Sequence, residues 1–67
     1  NDDLMSALIL KLFHDRQILI KPKIVNFLMQ RVERSYLGIS EIVDLIDSFS
    51  LSKNKSISIN LIKEILK

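Results

Sequence analysis

Between Asp3 and Arg16, apolar side chains at Leu4, Met5, Leu8, Leu12 and Phe13 recur every three or four residues. That spacing is one face of an α-helix, and Asp2 or Asp3 can cap its orphan amides. An extended connector, Ile18-Leu19-Ile20, leads to Pro22, whose fixed φ and missing N–H suit the first turn of a second helix carrying Ile24, Val25, Leu28, Met29 and Val32. Glu33-Arg34 then reads as a tight link and Ser35 as the N-cap of a third helix, striped by Tyr36, Ile39, Ile42, Val43, Ile46 and Phe49. Its opposite side carries Glu41, Asp44 and Asp47. The serine- and lysine-rich run from Ser48 to Ser58 predicts a loop. Ser58 can cap a last helix with Leu61, Ile62, Ile65 and Leu66 on its apolar face and Lys67 near its negative end. The pattern predicts an all-α, four-helix domain spanning residues 1–67.

Composition sharpens this picture. The chain has 67 residues, 48% of them apolar, with 11 Leu and 11 Ile, one Gly, one Pro and no Cys. A chain of 7.8 kDa should expose about 4,400 Å² when folded against about 11,300 Å² unfolded, a small fraction to hide so much hydrocarbon. An apolar patch is therefore expected at the surface, covered by a missing partner or by self-association, with Ile18, Leu19, Ile20 and Leu37 the first residues to look for. Without cysteine, neither disulfides nor thiolate zinc sites are available, and packing alone must stabilise the fold. Lysines 11, 21 and 23 interrupt the richest apolar stretches, so no membrane span and no signal peptide are expected, which suits a cytoplasmic protein. The start at Asn1 suggests a domain cut from a longer chain.

Charge is arranged in blocks. Residues 1–15 carry −2, 16–34 carry +4, 35–50 carry −3 and 51–67 carry +3, for a net charge of +2. Alternating signs suit neighbouring helices that attract one another, and differ from a uniformly basic nucleic-acid binder. A helix-turn-helix reading of the second and third helices meets the same objection. The third helix opens with Tyr36, Leu37 and Gly38 and continues with three acids, where a recognition helix would present Arg, Lys, Asn or Gln to bases, so no direct DNA binding is expected. Lys21, Lys23, Arg31 and Arg34 form either an anion-facing cluster at the start of the third helix or a solvated basic rim.

Catalytic chemistry has little to work with. Gly38 is the only glycine, which excludes a P-loop or a dinucleotide fingerprint within the chain. His14 is the single imidazole and reads as a solvent-facing helix residue. Glu41, Asp44 and Asp47 share one helix face, and without convergent ligands from a second element they read as a solvated or docking face, not a metal site. Met5 and Met29 read as core fillers. No catalytic residue and no metal ligand is expected.

Several runs together resemble a known family. Leu12-Phe13-His14-Asp15-Arg16-Gln17, Phe27-Leu28, Arg31-Val32-Glu33-Arg34-Ser35, Ile42-Val43-Asp44-Leu45-Ile46-Asp47 and the terminal Ile57-Ser58-Ile59-Asn60-Leu61-Ile62-Lys63-Glu64-Ile65-Leu66 are similar, in order and spacing, to the C-terminal lid of DnaA-related AAA+ proteins. The likeness covers the whole chain and is nearest to the Hda-type regulators. It implies a helical lid that packs against the chain's own AAA+ nucleotide-binding core and closes over ATP or ADP. It also implies a parent protein that meets the replication clamp and DnaA and controls the initiation of DNA replication. The lid of DnaA itself is the alternative within the family, distinguishable by the DNA-binding domain that follows it. A free-standing helical DNA-binding module is the alternative outside the family, and it would bind duplex DNA in a salt-sensitive manner.

The resemblance also assigns one position. Aligning Ile39, Leu45 and the terminal motif places Leu37 where the family carries its sensor-2 arginine, which reaches the nucleotide phosphates. Leucine neither neutralises phosphate nor donates a hydrogen bond. Either nucleotide sensing is weakened in this chain, or a neighbouring cation such as Arg34 serves as the cofactor-binding group instead.

Overall fold

The computed structural model describes residues 2–66. They form α1 (Asp2–Asp15), α2 (Pro22–Met29), α3 (Tyr36–Lys53) and α4 (Ile59–Ile65), with no strand among them. Asp2 and Asp3 lie in the first turn of α1, where their charge complements the helix dipole, and the cap position before them is outside the described residues. Lys67 is likewise outside them. Pro22 opens α2 at the position where a missing N–H costs nothing. Ser35 and Ser58 cap α3 and α4, each hydroxyl accepting from the backbone N–H three residues on, Gly38 at 3.0 Å and Leu61 at 3.2 Å.

The helices run alternately up and down. The Arg34 guanidinium pairs with Asp2, so the start of α3 lies beside the start of α1. Arg16, just past the end of α1, reaches Asp44 and, at 2.9 Å, Asp47 in the middle of α3. These contacts join the oppositely charged blocks of the sequence. Exposed pairs of this kind contribute only about 0.2–1 kcal/mol each. Stability comes instead from one apolar cluster in which Ile9, Phe13, Leu28, Ile39, Ile46 and Ile62 are completely buried, and no polar or charged residue is buried with them.

Three boundaries and faces differ from the sequence reading. The run 48–58 is not one loop: α3 continues to Lys53, leaving only residues 54–58 as connector. Serine is a tolerable helix residue when its neighbours keep the helical hydrogen bonds, and the stop is set by geometry. Asn54 adopts the left-handed conformation at φ 53°, and the N–H groups of Asn54 and Lys55 close back on Leu51 O and Ser50 O. Gln17 ends α1 in the same way, at φ 61°. Second, α2 stops at Met29, and Val32 packs against the core from the following turn, its N–H still bonded to Leu28 O. Third, the covered face of α1 centres on Ile9 and Phe13 because α2 and α3 both press on it, and Leu4, one edge of the predicted stripe, is 68% exposed.

The surface carries the expected surplus of hydrocarbon. Accessible area is 4726 Å², somewhat above the value for this mass, and Leu4, Leu19, Tyr36, Leu37, Leu45 and Leu51 are all more than half exposed. Tyr36, read as part of the α3 stripe, thus faces outward. Of the four residues singled out, Leu19 and Leu37 are exposed as expected, whereas Ile18 and Ile20 pack partly against the core. Successive side chains of an extended segment point to opposite sides, so turning Ile18 and Ile20 inward forces Leu19 out. Among the described residues, no helix is long and apolar enough to cross a membrane.

Candidate functional site

The end of the bundle where α3 begins holds the residues of interest. Its shape follows from a short link: Ser35 N–H donates to Glu33 O at 2.9 Å, and the Ser35 hydroxyl donates to the Glu33 carboxylate at 3.0 Å while accepting from Gly38 N–H. The link folds so tightly onto the first turn of α3 that a Cβ on Gly38 would stand 3.0 Å from Glu33 Cβ, 3.1 Å from Glu33 O and 3.1 Å from Ser35 Oγ. Gly38 is required here for space, since its φ is not positive. Gly38→Ala would gain about 1 kcal/mol of helix propensity at an ordinary helical site. Here the crowded atoms belong to a hydrogen-bonded turn, and overpacking costs about 1–3 kcal/mol. Denaturant titration of Gly38→Ala is expected to give a domain less stable by about 1 kcal/mol, and a more stable variant would show that the link yields.

Three side chains project from this end. Leu37, in the first turn of α3, is 67% exposed. Arg34 is engaged by Asp2 across the bundle end. Arg31 lies over the Phe27 ring, 3.8 Å from its centroid, close enough for a cation–π contact. The basic residues grouped in the sequence do not gather: Lys21 and Lys23 stand at the opposite end of α2, about 12 Å of helix away from Arg31 and Arg34. The cations left at this end are Arg31 and Arg34, with Lys63 sharing a hollow with Arg31 and Leu66.

A groove of about 610 Å³ runs from this end along α3, floored by Val32, Ile42 and Leu45, with Leu66 at its rim and Arg31, Glu33 and Glu41 on its walls. The acidic face of α3 divides between this groove and the ion pairs. Asp44 and Asp47 are taken by Arg16, an interhelical clamp that sequence reading did not single out; its only sign was the opposite charge of the two blocks. No group of three His, Cys, Asp or Glu among the described residues is placed to hold a metal ion. His14 is exposed in the last turn of α1, and Met5 and Met29 pack on or in the core. The arrangement offers an apolar groove, two arginines and an exposed leucine, which suits packing against another surface.

Comparison with known proteins returns no match among curated proteins and none among solved structures. A family model does match, that described as the lid domain of Hda, over residues 2–66. The match spans nearly the full length, the described residues form four helices without a strand, and the chain belongs to the Hda lid domain family.

Proposed function

We propose that residues 1–67 form the single lid domain of an Hda-like regulator of DnaA that acts in the cytoplasm on the initiation of chromosomal replication. In this reading the α3 end of the bundle packs against the nucleotide-binding core of the same protein, and the parent chain makes the contacts with DnaA and the replication clamp. The lid contributes no catalytic group. ATP or ADP binds, where it binds at all, in the cleft between lid and core.

The observation that carries this reading is Leu37, a large aliphatic side chain 67% exposed in the first turn of α3; the resemblance aligns it with the family's sensor-2 arginine. The leucine hydrocarbon suits burial against a second domain and cannot serve phosphate. Arg34 is the cation that could serve instead, but its pairing with Asp2 must break before it reaches an anion. Nucleotide titration of the longer protein tests this. Arg34→Ala is expected to leave ADP affinity within about fivefold of the parent, because loss of an exposed pair is worth under about 1 kcal/mol. A tenfold or greater loss would assign the phosphate contact to Arg34.

A further inference from the structure

At the end of the bundle away from Leu37, two non-helical segments flank a second groove of about 330 Å³. One is the connector 18–21, which finishes on Lys21 in extended conformation (φ −76°, ψ 147°), and the other is 55–58, which finishes on Ser58, also extended (φ −147°, ψ 168°). The groove is channelled by Ile20, Ile57 and Ile59, and Leu19 stands at its mouth 95% exposed, the most exposed large apolar side chain in the fold. Lys21 and Lys23 line it, no carboxylate does, and neither lysine has an ion-pair partner among the described residues. Lys55 flanks it through an adjoining hollow that shares Ser58 and Asn60 and also holds Glu64, so Lys21 and Lys23 set the charge of the groove itself.

The backbone here is equally unsatisfied. Ile18 N–H closes the α1 cap and Lys21 O receives the first turn of α2, but Leu19, Ile20, Ser56 and Ile57 make no backbone hydrogen bond. Two exposed, extended stretches of backbone without a protein partner, on either side of an aliphatic channel, can offer main-chain hydrogen bonds to an incoming extended chain whose alternate side chains fill the channel. Unneutralised lysines on the walls select the sign of the incomer.

We infer that this groove is a docking site for an extended acidic peptide segment of a partner protein, with branched aliphatic residues alternating with Asp or Glu. The aliphatic side chains enter the Ile20–Ile57–Ile59 channel and cover Leu19, and the carboxylates meet Lys21, Lys23 and Lys55. A nucleic-acid strand matches the charge but not the channel, which presents no aromatic ring for base stacking. The inference does not depend on what packs against Leu37, since the two surfaces lie at opposite ends of the bundle.

The test is an amide-resolved titration of the 67-residue chain with a seven-residue peptide alternating Glu or Asp with Val or Ile. Parallel titrations use a peptide with Gln at each acidic position and a single-stranded DNA 12-mer. The acidic peptide is expected to shift the amides of Leu19, Ile20, Ser56 and Ile57. It should bind at least tenfold more weakly to the variant carrying Lys21→Glu and Lys23→Glu, and more weakly to Leu19→Ser. All three positions are exposed, so the thermal transition of each variant should match the parent and separate lost binding from lost folding. No shift at these amides, equal affinity for the Gln peptide, undiminished binding by the double variant, or tighter binding of the DNA at the same amides would each overturn the proposal.

Discussion

Phe13→Ala is expected to abolish most of the stability of the domain. Phe13 is completely buried, its backbone carbonyl also accepts from Arg16 and Ile18 in closing the end of α1, and its ring belongs to the cluster that joins all four helices. Truncating a buried phenylalanine costs about 3–5 kcal/mol through lost transfer energy and the cavity left behind. A chain of this length has only about 3–10 kcal/mol in total. At about 4–8 °C of melting temperature per kcal/mol in small domains, the thermal midpoint should fall by 15 °C or more, or the cooperative transition should vanish. Leu4→Ala is the matched control, since Leu4 is 68% exposed, and it should move stability by less than about 0.5 kcal/mol. A Phe13→Ala variant that melts cooperatively within a few degrees of the parent would mean that the core does not depend on this ring.

Leu37→Arg is expected to tighten nucleotide binding by the longer protein by about tenfold to a hundredfold. A charged hydrogen bond to phosphate contributes about 1.5–3 kcal/mol, and an arginine can offer a bidentate one. The lid itself permits the change: within this domain the side chain is 67% exposed, so a longer one disturbs no packing of the bundle and, in the proposed arrangement, its guanidinium faces the cleft with the core, while an unfavourable cation at a helix N-terminus costs only about 0.3–1 kcal/mol. Titration with ADP and ATP, with Leu37→Gln as a neutral control of similar reach, separates charge from shape. Equal affinities for the parent, Gln and Arg forms would place Leu37 out of reach of the phosphates and remove the sensor-2 correspondence from the account.

Much of the fold was legible along the chain because its signals are local. Ser35 and Ser58 announced their helices through a hydroxyl three residues ahead of an N–H, and Pro22 announced α2 through a fixed φ; neither needs a neighbour in space to operate. The end of α3 was not legible. Its serines resemble loop composition, and the stop lies in a left-handed Asn54 whose conformation is a property of the closed turn. The site was legible in part. Leu37 was expected at the surface and is exposed there; its correspondence to the sensor-2 position rests on the resemblance. The basic group of Lys21, Lys23, Arg31 and Arg34, contiguous on paper, was divided by the length of α2 between two unrelated surfaces. Arg16 was missed because its partners lie roughly thirty residues away and become neighbours only when α1 and α3 lie side by side.

The amino-acid sequence by itself determined four helices, two of their caps, a core of branched aliphatic side chains and attraction between charge blocks. Each of these depends on residues within one or two turns or on total composition. Only the tertiary structure decided which part of each apolar stripe is covered. Periodicity shows which residues share a face, but how far that face is buried depends on what presses on it: α2 and α3 both pack on α1 where Ile9 and Phe13 are completely buried, whereas Leu4 is 68% and Leu37 67% exposed. The same packing left one end of the bundle with an exposed leucine beside paired or stacked arginines, and the other with free lysines and unpaired backbone.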